Sequence, residues 1–113
     1  MTLEQFEFEV TSACAVSPIV AGISTVGVGA TWVRLRAHLA DGSFIEAFYN
    51  QATGKTAFAL IQANQRILGA DNTGSWHWHP RDNPDSHIPI NQVVTFAEFL
   101  QEVEKHKPDK PRT

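Results

Sequence analysis

The chain has 113 residues, 42% of them hydrophobic, a net charge of −3 at neutral pH and one cysteine. That length accommodates a single core and excludes a second domain, and the apolar fraction excludes wholesale disorder. The acidic balance excludes binding to nucleic acid through overall charge, and a lone cysteine excludes an internal disulfide, which fits a reducing, cytoplasmic setting.

Thr2-Leu-Glu-Gln5 has the form of a capping box, and Leu3, Phe6, Val10, Ala13 and Cys14 follow at helical spacing. Phe6, Phe8 and Val10 also alternate as a strand would, and the helix is preferred. Glu4, Glu7 and Glu9 precede any basic residue, so a secretory leader is not expected. Residues 13–30 are apolar but broken by Pro18, Gly22, Gly27 and Gly29, and do not suit a transmembrane helix. Residues 19–28 read as a strand with a bulge at a glycine. Residues 30–40 alternate cleanly, with Trp32, Arg34, Arg36 and His38 against Val33, Leu35, Ala37 and Leu39. Asp41-Gly42 then predicts a hairpin turn, and strands follow over 43–50, 55–62 and 66–70. Residues 69–91 lose regular patterning and hold Gly74, Pro80, Pro84 and Pro89, so they form a long loop with at most a short extended piece at 76–79. Thr95-Phe-Ala-Glu98 is a second capping box, with Val94 and Phe99 as a staple and Phe96, Phe99, Leu100 and Val103 on one face. The expectation is an α+β domain over residues 1–106. It has an antiparallel meander of four or five strands, with an N-terminal and a C-terminal helix packed on one face, and a disordered basic tail at 107–113.

The reactive side chains concentrate between Asp71 and His87. If residues 76–79 are extended, His77 and His79 point to one side and Trp76 and Trp78 to the other. Two imidazoles on one side suit acid–base chemistry, because their ordinary pKa lies near neutrality. They also suit a metal ion, but a stable site needs three or four ligands and only His87 and Asp71 are at hand, so neither a metal nor another cofactor is expected. Arg34 and Arg36 could pair with phosphate oxygens, and Asp71 could orient a histidine. The candidate catalytic set is therefore His77, His79, Arg34, Arg36 and Asp71. Trp32, Trp76, Trp78, Arg66 and His87 form the candidate substrate-binding set. The three glycines at 22, 27 and 29 lack the Lys-Ser/Thr of a phosphate loop, and Cys14 reads as inert core.

Three stretches resemble the TumE-like toxins of prokaryotic toxin–antitoxin systems and their uncharacterised relatives. Residues 32–46, with the Ala40-Asp-Gly-Ser43 turn, look like that family's strand–turn–strand hairpin. Arg66-Ile-Leu-Gly-Ala-Asp-Asn72 is similar to its last strand, and His77-x-His79-Pro80 with His87 is similar to its histidine-rich segment. The likeness spans most of residues 17–104. It implies a small cytoplasmic toxin silenced by a cognate antitoxin, without a membrane association, and leaves both monomer and dimer open. The reaction expected of such a toxin here is metal-independent RNA cleavage, with one of His77 and His79 taking the 2′-hydroxyl proton and the other protonating the leaving oxygen. Arg34 or Arg36 would stabilise the phosphorane, and a tryptophan would hold an unstacked base. A non-catalytic protein-binding module and a small metal-dependent hydrolase are the alternatives.

Overall fold

The computed structural model describes residues 1–80, 83 and 85–109. Its first helix, α1 (Leu3–Ala15), is capped as the sequence requires: the Gln5 N–H donates to the Thr2 hydroxyl at 3.1 Å, and the Thr2 N–H donates to Oε1 of Gln5 at 2.7 Å. Phe6, Val10 and Cys14 turn inward while Phe8 stays exposed, so the helical spacing governs this segment and the strand alternation does not. Burial pushes the Cys14 thiol up to about 11, which keeps it protonated and unreactive.

Among the described residues seven strands follow in chain order, each antiparallel to the next: β1 (Val20–Val28), β2 (Trp32–Leu39), β3 (Phe44–Asn50), β4 (Thr56–Gln62), β5 (Gln65–Asp71), β6 (His77–His79) and β7 (Ile88–Pro89). The expectation of four or five strands falls short by the last two. β6 and β7 span three and two residues, too few for alternation to register against the surrounding turn residues. Pro89 ends the outermost strand, where a missing N–H interrupts no further ladder. Arg81, Asp82 and Pro84 of the expected loop lie outside the described residues.

Both helices cover the same face of the sheet: α1 packs on β1 to β3, and α2 (Phe96–Glu104) packs on β4 and against α1. Alternation supplies that face with Val33, Leu35, Ala37 and Leu39 from β2, Ile45, Ala47 and Tyr49 from β3, and Phe58 and Leu60 from β4. Phe58 is central, with ring centroids of Phe6, Phe96, Phe99 and Trp76 all within 6.4 Å. No helix among the described residues is long and apolar enough to cross a membrane.

Lys107 opens the stretch expected to be a disordered tail, yet its side chain is only 5% exposed. Its Nζ lies 2.7 Å from Oδ2 of Asp41 and 2.7 Å from Oε1 of Gln62. Residues 110–113, the end of that stretch, lie outside the described residues.

Candidate active site at one end of the open sheet face

Strand register decides which side chains share the face away from the helices. Pairing runs Arg34–Phe48–Ala57–Asp71–His77 in one cross-strand row and Arg36–Glu46–Ala59–Gly69–His79 in the next. All ten therefore stand on the open face, opposite the core. Arg66 joins them through a bulge. Leu60 pairs with Leu68 but Ile61 pairs with Arg66, so Ile67 is an extra residue. Strict alternation from Asp71 would send Arg66 to the helix side, and the inserted residue reverses it.

At the β5–β6 end of this face, Asp71 holds two imidazoles at once. Its Oδ1 is 3.2 Å from Nε2 of His77, and its Oδ2 is 3.0 Å from Nε2 of His79. The Thr73 N–H donates to the same carboxylate at 3.0 Å. Burial acts to raise the Asp71 carboxyl, but the hydrogen bonds from Thr73 and His79 and the neighbouring His77 outweigh it. The net effect holds the group below its ordinary value and keeps it anionic. His87 closes the cluster, its ring centroid 4.9 Å from that of His77 and 4.4 Å from that of His79.

Hydrogen-bond geometry assigns the protons on two of the rings. Nδ1 of His79 faces NH2 of Arg66 at 3.3 Å. A guanidinium only donates, so that nitrogen carries the lone pair and Nε2 carries the proton toward Asp71. His77 differs. Its Nδ1 faces the Ser75 carbonyl at 2.9 Å and its Nε2 faces Asp71, two acceptors. Both contacts are satisfied only when positive charge sits between Nε2 and the carboxylate, either as a second proton or as a metal ion.

A metal ion has a donor set here. His77, His79 and His87 offer ring nitrogens within 4.8 Å of one another, the one such trio among the described residues, and Asp71 stands beside two of them. Three imidazoles and a carboxylate suit zinc or a similar ion. Arg66 opposes that use, because it occupies the His79 lone pair and leaves Nε2 protonated. The donor set fits; the proton arrangement on His79 fits a metal-free cluster better.

The structure gathers Asp71, His77, His79, His87 and Arg66, and separates the other candidates from them. The two histidines of β6 do share one side, but only His77 and His87 reach water; His79 is 3% exposed with both nitrogens occupied. Trp76 and Trp78 face the helices, stacking on Phe58 and on Phe99 (centroids 6.3 and 5.6 Å apart), so they help to form the core and do not face the histidines. Arg34 and Arg36 lie on β2, four strands from β6, which puts them about 19 Å from the cluster at ~4.8 Å per strand. They cannot act on an atom that His77 touches. Trp32 lies further along the same face, over Gly27 of β1 and Gly29 just past its end. Reading residue by residue missed Gly69: a Cβ there would meet Arg66 Cδ at 3.1 Å and His79 Cδ2 at 3.4 Å. A lone glycine inside a strand pattern was the available signal. No family model, no curated protein and no solved structure matches the chain.

Proposed function

We propose that the chain cleaves RNA by metal-independent acid–base catalysis at the Asp71 cluster. The observation that carries this reading is that one carboxylate holds two adjacent imidazoles while a guanidinium occupies the second nitrogen of only one of them. His77, oriented at Nε2 by Asp71, is the general acid. Its Nδ1–H now meets the Ser75 carbonyl in an exposed turn, and a substrate oxygen can replace that carbonyl. His87, exposed beside it, is the general base. It takes the 2′-hydroxyl proton as the 2′-oxygen attacks phosphorus. His77 gives its proton to the departing 5′-oxygen, leaving a 2′,3′-cyclic phosphate and a free 5′-hydroxyl. Arg66 supplies positive charge at the same spot. His79 is a positioning residue that ties Asp71 to Arg66. This reassigns His79 from proton carrier and transfers the charge-stabilising role from Arg34 and Arg36 to Arg66.

The resemblance to TumE-like toxins supplies the cellular setting of this proposal: a growth-inhibiting chain silenced by a partner antitoxin. Purified protein with chelator present should cleave single-stranded RNA. His77→Ala and His87→Ala should each lose about two orders of magnitude or more in rate while the far-ultraviolet circular dichroism is unchanged. Full activity in either variant ends the acid–base scheme, and intact cellular RNA during growth arrest ends the toxin reading as stated.

The histidine trio favours one second reading, a metal-dependent hydrolase. Elemental analysis of the purified chain distinguishes the two. A stoichiometric ion that His87→Ala removes, together with cleavage abolished by chelator, would transfer the chemistry to a metal-bound water.

A further inference from the structure

The open face of the sheet away from the catalytic cluster carries side chains that the proposed reaction does not use. On β2 and β3, each arginine lies over an aromatic ring: Arg36 Cζ is 4.0 Å from the Phe44 centroid, and Arg34 Cζ is 5.0 Å from that of Phe48. Trp32 continues the row, its ring 6.1 Å from that of Phe48 and laid flat over glycines where a side chain would collide with it. Glu46 holds both guanidinium groups, at 3.2 Å from Arg34 Nε and 3.1 Å from Arg36 NH2. Two cations share one carboxylate, so the strip keeps a net positive charge, and Lys55 lines the same shallow depression with Arg34, Phe48, Ala57 and Ala59.

Between this strip and the histidines, the middle of the two rows presents small side chains, with Ile61 and Arg66 standing beyond them toward the β4–β5 turn. Ala57, Ala59 and Gly69 succeed one another across β4 and β5, so the face forms a trough with a cationic, aromatic wall on one side and the Asp71 cluster on the other. Half of the chain's twelve acidic residues, Glu4, Glu7, Glu9, Glu98, Glu102 and Glu104, are on the two helices, across the sheet, while Glu46 and Asp71 stand on the open face, each beside cationic or imidazole groups.

From this we infer that the Arg34–Phe48/Arg36–Phe44 strip is a docking platform for single-stranded RNA, separate from the catalytic centre, and that the strand crosses the Ala57–Ala59–Gly69 trough to reach it. The inference rests on the ribonuclease reading for the identity of the strand and not for the existence of the platform. Pre-stacked guanidinium groups pair with phosphate oxygens and offer flat surfaces to unstacked bases, which a duplex keeps hidden. The separation of about 19 Å between strip and cluster means that a strand must extend several nucleotides from the scissile bond before both ends engage. Affinity should therefore climb with oligonucleotide length and then level off.

The test uses fluorescence anisotropy with labelled 2′-O-methyl RNA single strands of increasing length, which bind but cannot be cleaved. The paired change Arg34→Gln with Arg36→Gln should weaken binding of the longer strands by about tenfold or more and flatten the slope of log K against log salt by ~1 to 2. Glu46→Gln, which releases both guanidinium groups, should tighten binding severalfold. Equal affinity in the double variant, or a duplex of the same sequence binding as tightly as the single strand, overturns the platform. Because the probe lacks a 2′-hydroxyl, it reads binding apart from cleavage: failure of the parent chain to cleave unmodified RNA while it still binds the probe would overturn the catalytic reading alone.

Discussion

Replacing Gly69 with alanine separates the fold from the site. Gly69 is buried, but its backbone lies outside the left-handed region, so an L-residue can adopt its conformation. The added Cβ would sit 3.4 Å from the Phe58 carbonyl and from His79 Cδ2, which is contact, and 3.1 Å from Arg66 Cδ, which is too close. The flexible arginine yields by a few tenths of an ångström. Its bond to Nδ1 of His79 already spans 3.3 Å, at the long end of hydrogen-bonding range, so that retreat breaks it. A hydrogen bond to a charged group contributes about 1.5–3 kcal/mol when sheltered and less at an exposed guanidinium such as this one. Against the loss stands the ~0.4–1 kcal/mol that alanine contributes by restricting the unfolded chain. The net change in urea-unfolding free energy should be within about 1 kcal/mol. The site should respond far more. Freed of Arg66, His79 can carry its proton on either nitrogen, a change that nitrogen-15 NMR of the imidazole reports directly. RNA cleavage should fall about tenfold or more, the equivalent of ~1.4 kcal/mol in the barrier. An unaltered His79 tautomer with wild-type cleavage would refute the role given to Arg66. A stability loss of several kcal/mol would instead make Gly69 a packing requirement and not a clearance.

Two further changes probe the frame around the site. The Asp41 carboxyl is lowered to about 2, first by the hydrogen bond from Lys107 and then by Ser43. Its folded value lies below its unfolded one, so the stabilisation is fully present above about pH 4 and disappears as pH falls through about 2. Discounted for solvent screening it amounts to roughly 0.5–1 kcal/mol. Lys107→Met should therefore unfold at lower urea than the parent at pH 6 and converge with it near pH 2; parallel curves across that range would exclude the pairing. At the β4–β5 turn, Ala63 and Asn64 have φ of 52° and 63°, a left-handed pair that suits asparagine better than alanine. Ala63→Asn should raise the urea midpoint by the equivalent of about 0.5–1 kcal/mol, and an unchanged or lowered midpoint would show that the turn stores no such cost.

Much of this was legible in the sequence wherever one local rule governed the outcome. The two capping boxes mark where α1 and α2 start, and the alternation from Trp32 to Leu39 settles which residues of β2 face the core. The shared side of His77 and His79 follows from the same period of two. What was not legible depends on long-range pairing. The distance from Arg34 and Arg36 to the histidines requires the strand order, which no single segment encodes. The face on which Arg66 stands depends on a bulge at Ile67, and one inserted residue inverts every parity argument beyond it. The burial of His79 comes from Arg66 and from His87, which arrives across the long loop.

The core and the site are two sides of one register. Trp78 stands between His77 and His79 in β6 and stacks almost parallel on Phe99, their planes 8° apart. That contact is the one large apolar anchor within the strand, since β6 has only three residues and pairs with β5 through Gly69, Ala70 and Asp71. A slip of one residue would turn Trp78 to the open face and drive both imidazoles toward Phe99. It would therefore expose an indole and bury two polar rings without their carboxylate, two costs of the same sign. The hydrophobic preference of a side chain that never meets the substrate is thus what aims His77 and His79 at Asp71. Substitutions of Phe99 should accordingly disturb the histidine cluster in proportion to how far they loosen Trp78, even though the two lie on opposite faces of the sheet.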